Sequence, residues 1–193
     1  MDVNLRQIYG PWDDGWVLDK HSKSSQYAGE NEYGYPTYNT VRTEAGEATF
    51  QLKYRCDWSQ IEPLAQAIAD KIYPKLGRIG FIVPMPATNH RARQPVSEVA
   101  DRLGELLDKP VFRNILLKAP NGASLKNMNT KEEKVAALTG SFSVHDAIKN
   151  EGRWNVLVID DLFHTGASME MACNGLRTYK KVERIYVAAL TWR

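Results

Sequence analysis

The stretch Val156–Glu170, VLVIDDLFHTGASME, sets two adjacent carboxylates, Asp160 and Asp161, between four apolar residues and a segment rich in hydroxyls and glycine. The apolar run Val156–Ile159 predicts a buried strand. The spacing of Met169, Ala172, Cys173 and Leu176 predicts a helix over Met169–Tyr179, so the carboxylates and the loop fall where a strand hands over to a helix. A helix N-terminus offers unpaired N–H groups and positive dipole potential, which suits a phosphate. Gly166 lets backbone approach such a group closely, and Thr165 and Ser168 add hydroxyl donors. Two carboxylates beside a phosphate pocket would repel a bare anion. They fit if they accept hydrogen bonds from sugar hydroxyls or help to hold a divalent cation, so the ligand class implied is a sugar phosphate with magnesium. The plainer alternative is that Asp160 and Asp161 only end a strand and cap a helix. No G-x-x-x-x-G-K-[ST] and no G-x-G-x-x-G occurs, which excludes a Walker loop and a dinucleotide fingerprint. Thirty-two residues follow Asp161, too few for a receiver domain opening on an acidic pair.

The elements that must position this segment are legible from periodicity. Ala65, Ile68, Ala69 and Ile72 form one stripe of a helix that starts near Glu62 and closes at Pro74 and Gly77. A buried strand is predicted over Ile79–Val83, and Pro95 opens a helix with Val96, Val99, Ala100 and Leu103 on one face. Val111–Leu117 reads as a further strand. The polar run from Lys118 to Asn129 reads as a mobile loop, Thr130 and Glu133 as a capping box ahead of a short helix, and Ile185–Leu190 as the last strand. Strands alternating with helices predict an α/β fold, a mostly parallel sheet with helices on both faces. Ligands of such sheets lie beyond the carboxyl ends of strands, which selects the loops after Val83 and after Ile159.

Ten of the nineteen aromatic residues lie in the first 58 positions, interleaved with Gly, Asp and Ser. This block is expected to form short strands and turns, a cap or hood (1–58) on an α/β core (59–193) within one domain, its rings packing rather than stacking on bases. Lys53 follows Phe50 and Leu52 on a predicted helix, within reach of a phosphate or simply facing the helix dipole. The chain has 193 residues, 43% of them hydrophobic and 25% charged, so it is folded rather than disordered. A net charge of +2 is too balanced to predict nucleic-acid or membrane-surface binding from electrostatics alone. Cys56 and Cys173 lack Cys-x-x-Cys spacing, which argues against a zinc ribbon and a disulfide framework, and His21 and His145 have no ligand-spaced partner. No signal peptide and no apolar span is seen, so a cytoplasmic location without membrane insertion is expected.

VLVI, DD, LF and HTGAS, between a predicted strand and helix near the end of an α/β chain, resemble the signature of type I phosphoribosyltransferases. His164 stands where a Thr is common. Leu52-Lys53-Tyr54, Val83-Pro84-Met85-Pro86, the basic run His90 to Arg93 and Gly140-Ser141-Phe142 resemble the ComF-type competence branch of that fold, over about residues 43–193. That branch's zinc ribbon is missing, and Gln94-Pro95 replaces its Arg-Gly-Phe-Asn-Gln stretch, so neither zinc nor a role in DNA uptake is carried over.

The resemblance implies that Asp160 and Asp161 face the ribose hydroxyls of phosphoribosyl pyrophosphate, with magnesium held directly or through water. It implies that His164, Thr165, Gly166, Ala167 and Ser168 cradle the 5-phosphate. Pro84, Met85, Pro86, Ala87 and Thr88 would form the pyrophosphate loop, with Arg91 or Arg93 neutralising the leaving group, and Lys118 and Lys126 would sit in the catalytic flexible loop. The activity implied is transfer of the ribosyl phosphate to an acceptor with pyrophosphate release, in a homodimer. The acceptor is unreadable, since Tyr186 and Trp192 could stack or merely pack. A second reading is a non-catalytic sensor of phosphoribosyl pyrophosphate or a nucleotide, acting with a protein partner or single-stranded DNA. A third is nucleic-acid binding through His90, Arg91 and Arg93.

Overall fold

The computed structural model describes residues 1–87, 91–119 and 130–193. In chain order these form β1 (Arg6–Gln7), β2 (Asp14–Lys20), β3 (Ser22–Glu30), β4 (Pro36–Arg42), α1 (Glu44–Tyr54), α2 (Ile61–Ala67), β5 (Phe81–Pro84), α3 (Pro95–Leu107), β6 (Leu116–Lys118), α4 (Lys131–Leu138), β7 (Phe142–Val144), β8 (Trp154–Phe163), α5 (Ala167–Arg177) and β9 (Val182–Trp192). The central sheet runs β1-β2-β9-β8-β5, with β2, β9, β8 and β5 parallel and β1 an antiparallel edge.

Successive residues of a strand face opposite sides of a sheet, and the apolar strands here are buried on both. Along β8, Val156 and Val158 pack with Met169, Ala172, Cys173 and Leu176 of α5. Leu157 and Ile159 face the other layer, with Leu52 of α1, Leu64 of α2 and Val99 and Leu103 of α3. The sheet is thus covered by helices on both faces. The capping box at Thr130 and Glu133 is formed, each side chain accepting from the other residue's backbone N–H at 3.2 Å.

Three expectations are corrected. The first 58 residues are not only a cap: β2 pairs with β9 inside the sheet, Val17 and Leu18 are fully buried, and α1 covers the sheet. Only the β3–β4 ribbon stands apart, and its tyrosines are exposed rather than packed. Val111–Leu117 is not one strand. Val111 makes a single parallel bridge to Ile82, then the chain turns where Arg113 is held by Glu98 and Asp101 of α3, and β6 begins at Leu116. The helix from Ile61 leaves α geometry after Ala67, passing through a π turn over Ile68–Ile72 into a 3₁₀ turn with Pro74 near its start, which keeps Ile68 and Ile72 buried. Among the described residues no helix is long and apolar enough to cross a membrane.

Candidate functional site

β8 does not stop at Ile159. It continues to Phe163, so Asp160 and Asp161 are strand residues, and the alternation that sorts the core sorts them too. Asp161 falls on the side of α1 and forms an ion pair there with Lys53. Asp160 falls on the side of β6, within electrostatic reach of Lys118, and its Oδ1 accepts a hydrogen bond from the Asp161 N–H at 2.8 Å. Each carboxylate therefore meets a lysine from a different layer. Burial, then the neighbouring Asp161 charge, push the Asp160 pKa up to about 7, against the pull of the two lysines. Burial disfavours the Lys53 ammonium, but Asp161 outweighs it and holds the lysine above its ordinary range. For Lys118 burial prevails and lowers the pKa, with Asp160 opposing.

The loop beyond β8 is set by aromatic packing. Phe163 meets the edge of Trp12, ring centroids 6.1 Å apart, and the Trp12 indole N–H donates to the Ile8 carbonyl at 3.0 Å. Gly166 lies over Phe163 with φ 78°, and a Cβ there would come within 2.9 Å of the ring. The chain then enters α5 directly at Ala167, with no side-chain cap on Gly166, so the first N–H groups of this 11-residue helix follow the acidic pair closely along the chain. Thr165 Oγ1 accepts weakly from the Ala167 N–H at 3.5 Å. His164 to Ser168 are thus a continuous turn into a helix N-terminus.

Across the carboxyl edge of the sheet, Pro84 ends β5 opposite Ile159, and the Met85 N–H donates to the Ile159 carbonyl at 2.8 Å. Met85, Pro86 and Ala87, Arg91, the start of α3 (Gln94, Pro95, Val96), Lys53, Asp160 and Asp161 line a cleft of about 190 Å³. Arg91 is anchored by donating to the Lys53 carbonyl at 2.8 Å. Arg93 is held elsewhere: it pairs with Glu98 at 2.6 Å and stacks over Trp58, 4.1 Å from the ring centroid. The structure therefore gathers Lys53, Met85–Ala87, Arg91, Asp160 and Asp161 around one cleft and leaves Pro84, Arg93, Lys118 and the His164–Ser168 turn outside its lining. Thr88, His90 and Lys126 lie outside the described residues.

Two features escaped the sequence. The N-terminus of α3 borders the cleft, a placement hinted at only by Pro95 in the first turn. The second is a hydrogen-bonded chain across three strand ends: buried Thr191 of β9 donates its hydroxyl to the Asp161 carbonyl at 2.9 Å and lies 3.2 Å from His21 Nδ1. Because that hydroxyl spends its proton on Asp161, Nδ1 of His21 is the donor to Thr191. Burial, with Arg193, Arg42 and Lys53 around it and only Asp161 opposing, lowers the His21 pKa and keeps the ring neutral. Of the two readings open for Tyr186 and Trp192, packing holds: one face of Trp192 is taken by Arg6, 4.0 Å from the ring centroid, and Tyr186 is buried.

No protein-family model matches the sequence, and neither does any curated protein. Solved structures do match. The chain is similar to an adenine phosphoribosyltransferase from Trypanosoma brucei, crystallised with AMP, pyrophosphate and ribose-5-phosphate, at 11% identity and a TM-score of 0.44 over 99% of this chain and 89% of that one. It is similar to another adenine phosphoribosyltransferase at 12% identity and a TM-score of 0.42, over 86% of this chain and 84% of that one. A UMP synthase from Leishmania donovani is similar at 13% identity and a TM-score of 0.41 over 84% of this chain, which spans 28% of that longer protein.

Proposed function

We propose that the cleft binds phosphoribosyl pyrophosphate with magnesium, and that the protein transfers the ribosyl phosphate to an acceptor with release of pyrophosphate. The observation that carries this reading is the acidic pair at the end of β8, one carboxylate to each side of the sheet and each near its own lysine, followed by a glycine turn into a helix N-terminus. A sugar phosphate has hydroxyls for the carboxylates and an anion for the helix start, and few other ligands use both.

The donor set fits magnesium, which is held by one or two carboxylates together with phosphate oxygens of the substrate rather than by an all-protein cage. Among the described residues no group of three or more His, Cys, Asp and Glu side chains gathers to form such a cage. Asp160 and Asp161 would hold the ion, which when bound offsets the charge of the departing pyrophosphate. In this reading the turn from His164 to Ser168 receives the 5-phosphate, with Gly166 admitting close backbone approach. The Pro84–Ala87 turn and Arg91 face the pyrophosphate, Thr88, outside the described residues, is assigned to the same role, and Lys53, which lines the cleft, would contact it. The C1–O bond breaks with its electrons leaving on pyrophosphate, positive charge develops on the ring, and the carboxylates stabilise it as the acceptor bonds to C1.

The test is pyrophosphate release from phosphoribosyl pyrophosphate and magnesium with a panel of purine bases, pyrimidine bases and amines. Release with at least one acceptor, lost about 100-fold or more in Asp160→Asn/Asp161→Asn, is expected. Release unchanged in that variant would contradict the assignment.

A further inference from the structure

Beyond their own pairing, β3 and β4 meet the rest of the fold chiefly where β4 passes α1. The register sets Tyr27 opposite Tyr38 and Ser25 opposite Thr40, so these four share one face. The Tyr27 and Tyr38 rings meet edge to face at 6.0 Å, and the Ser25 and Thr40 hydroxyls are hydrogen-bonded at 3.0 Å. Asn31 Oδ1 accepts from the N–H groups of Tyr33 and Tyr35 and fixes the tip. Tyr27, Tyr33, Tyr35 and Tyr38 are 62, 75, 68 and 58% exposed. A two-stranded ribbon with both faces in water is marginal, yet this one carries four large rings into solvent.

Charge and area say what covers it. The ribbon is basic at its base, where Lys23 lies, and acidic at its tip, with Glu30 and Glu32. A polyanion would be repelled by that tip, whereas a second ribbon running antiparallel sets each acidic tip against the other's basic base. Tyr27 and Tyr38 on the shared face offer on the order of 200–300 Å² per chain, and Tyr33 and Tyr35 at the adjoining tip add to it, toward the roughly 800 Å² per partner of a standard interface. The register shifts between Ser22 and Ser24 and between Tyr27 and Gly29 interrupt the β3 edge, which favours packing through the face over edge-to-edge pairing.

We infer that the tyrosine face of the β3–β4 ribbon is a self-association surface, on which two copies of this chain pack their ribbons antiparallel across a two-fold axis with Lys23 of one against Glu30 of the other. Sedimentation equilibrium of the full chain at micromolar concentration tests it. A dimer is expected. Tyr27→Ser/Tyr38→Ser should weaken it about tenfold or more with an unchanged circular dichroism spectrum. Lys23→Glu should weaken it, and Lys23→Glu combined with Glu30→Lys should restore it. A monomer at every concentration, or a dimer indifferent to these changes, would overturn the inference. If the tyrosine variant does not fold, the charge swap decides alone: restoration supports the pairing, and no effect of Lys23→Glu refutes it.

Discussion

Asp160 is costly for the fold and useful for the site. Its ordinary pKa is 3.8 and burial beside Asp161 pushes it up to about 7, so between those values the folded chain holds a proton that the unfolded chain has lost. Stability from this group is therefore complete below about pH 4 and declines as pH rises through 7. Asp160→Asn, neutral throughout and still able to accept from the Asp161 N–H, should be more stable than the natural protein at pH 8 by about 1–3 kcal/mol and close to it only near pH 3.5. Thermal denaturation at the two pH values checks this; an equal difference at both would show that the carboxyl is not desolvated. The acidic pair was legible because its signature is local, six residues on one strand and the turn after it. Its lysines were not. Lys53 reaches Asp161 across 108 positions of sequence, and His21 reaches it through Thr191 over a still longer separation, so no periodicity marks either.

The elements hold the site through close approaches that admit no side chain. Gly166 combines φ 78° with the Phe163 ring beneath it, so Gly166→Ala should cost about 1–2 kcal/mol and lower phosphate affinity together, read by chemical denaturation and by titration with inorganic phosphate. In α1, a Cβ on Gly46 would lie 2.0 Å from the His21 carbonyl oxygen, which is backbone and cannot step aside. Gly46→Ala should therefore cost about 2 kcal/mol or more by lifting α1 from the end of β2. Gly175 of α5 is the internal control, with the nearest atom to its Cβ at 3.8 Å, and Gly175→Ala should stabilise by roughly 0.5–1 kcal/mol. Helices α3 and α5 could be read in advance because their apolar stripes are long. The strand proposed over Val111–Leu117 failed because Arg113 is drawn to Glu98 and Asp101, a tertiary attraction that no run of β-favouring residues reveals.

At the scale of the molecule, four parallel strands bring the ends of β2, β5, β8 and β9 to one edge, and the acidic pair and its cleft lie there. The class of fold followed from alternation alone. The role of the N-terminal block did not: β2 reads as Asp-Gly-Trp-Val-Leu-Asp-Lys, with Val17 and Leu18 its only buried apolar side chains, and the aromatic, glycine-rich context hides a sheet strand among turns. The proposed activity rests on the cleft taking phosphoribosyl pyrophosphate. Calorimetric titration of the full chain with phosphoribosyl pyrophosphate and magnesium, repeated on Asp160→Asn/Asp161→Asn, measures this most directly. Binding that depends on magnesium and falls about tenfold or more in the variant is expected. No binding by the natural protein, or the same affinity in the variant, would contradict it.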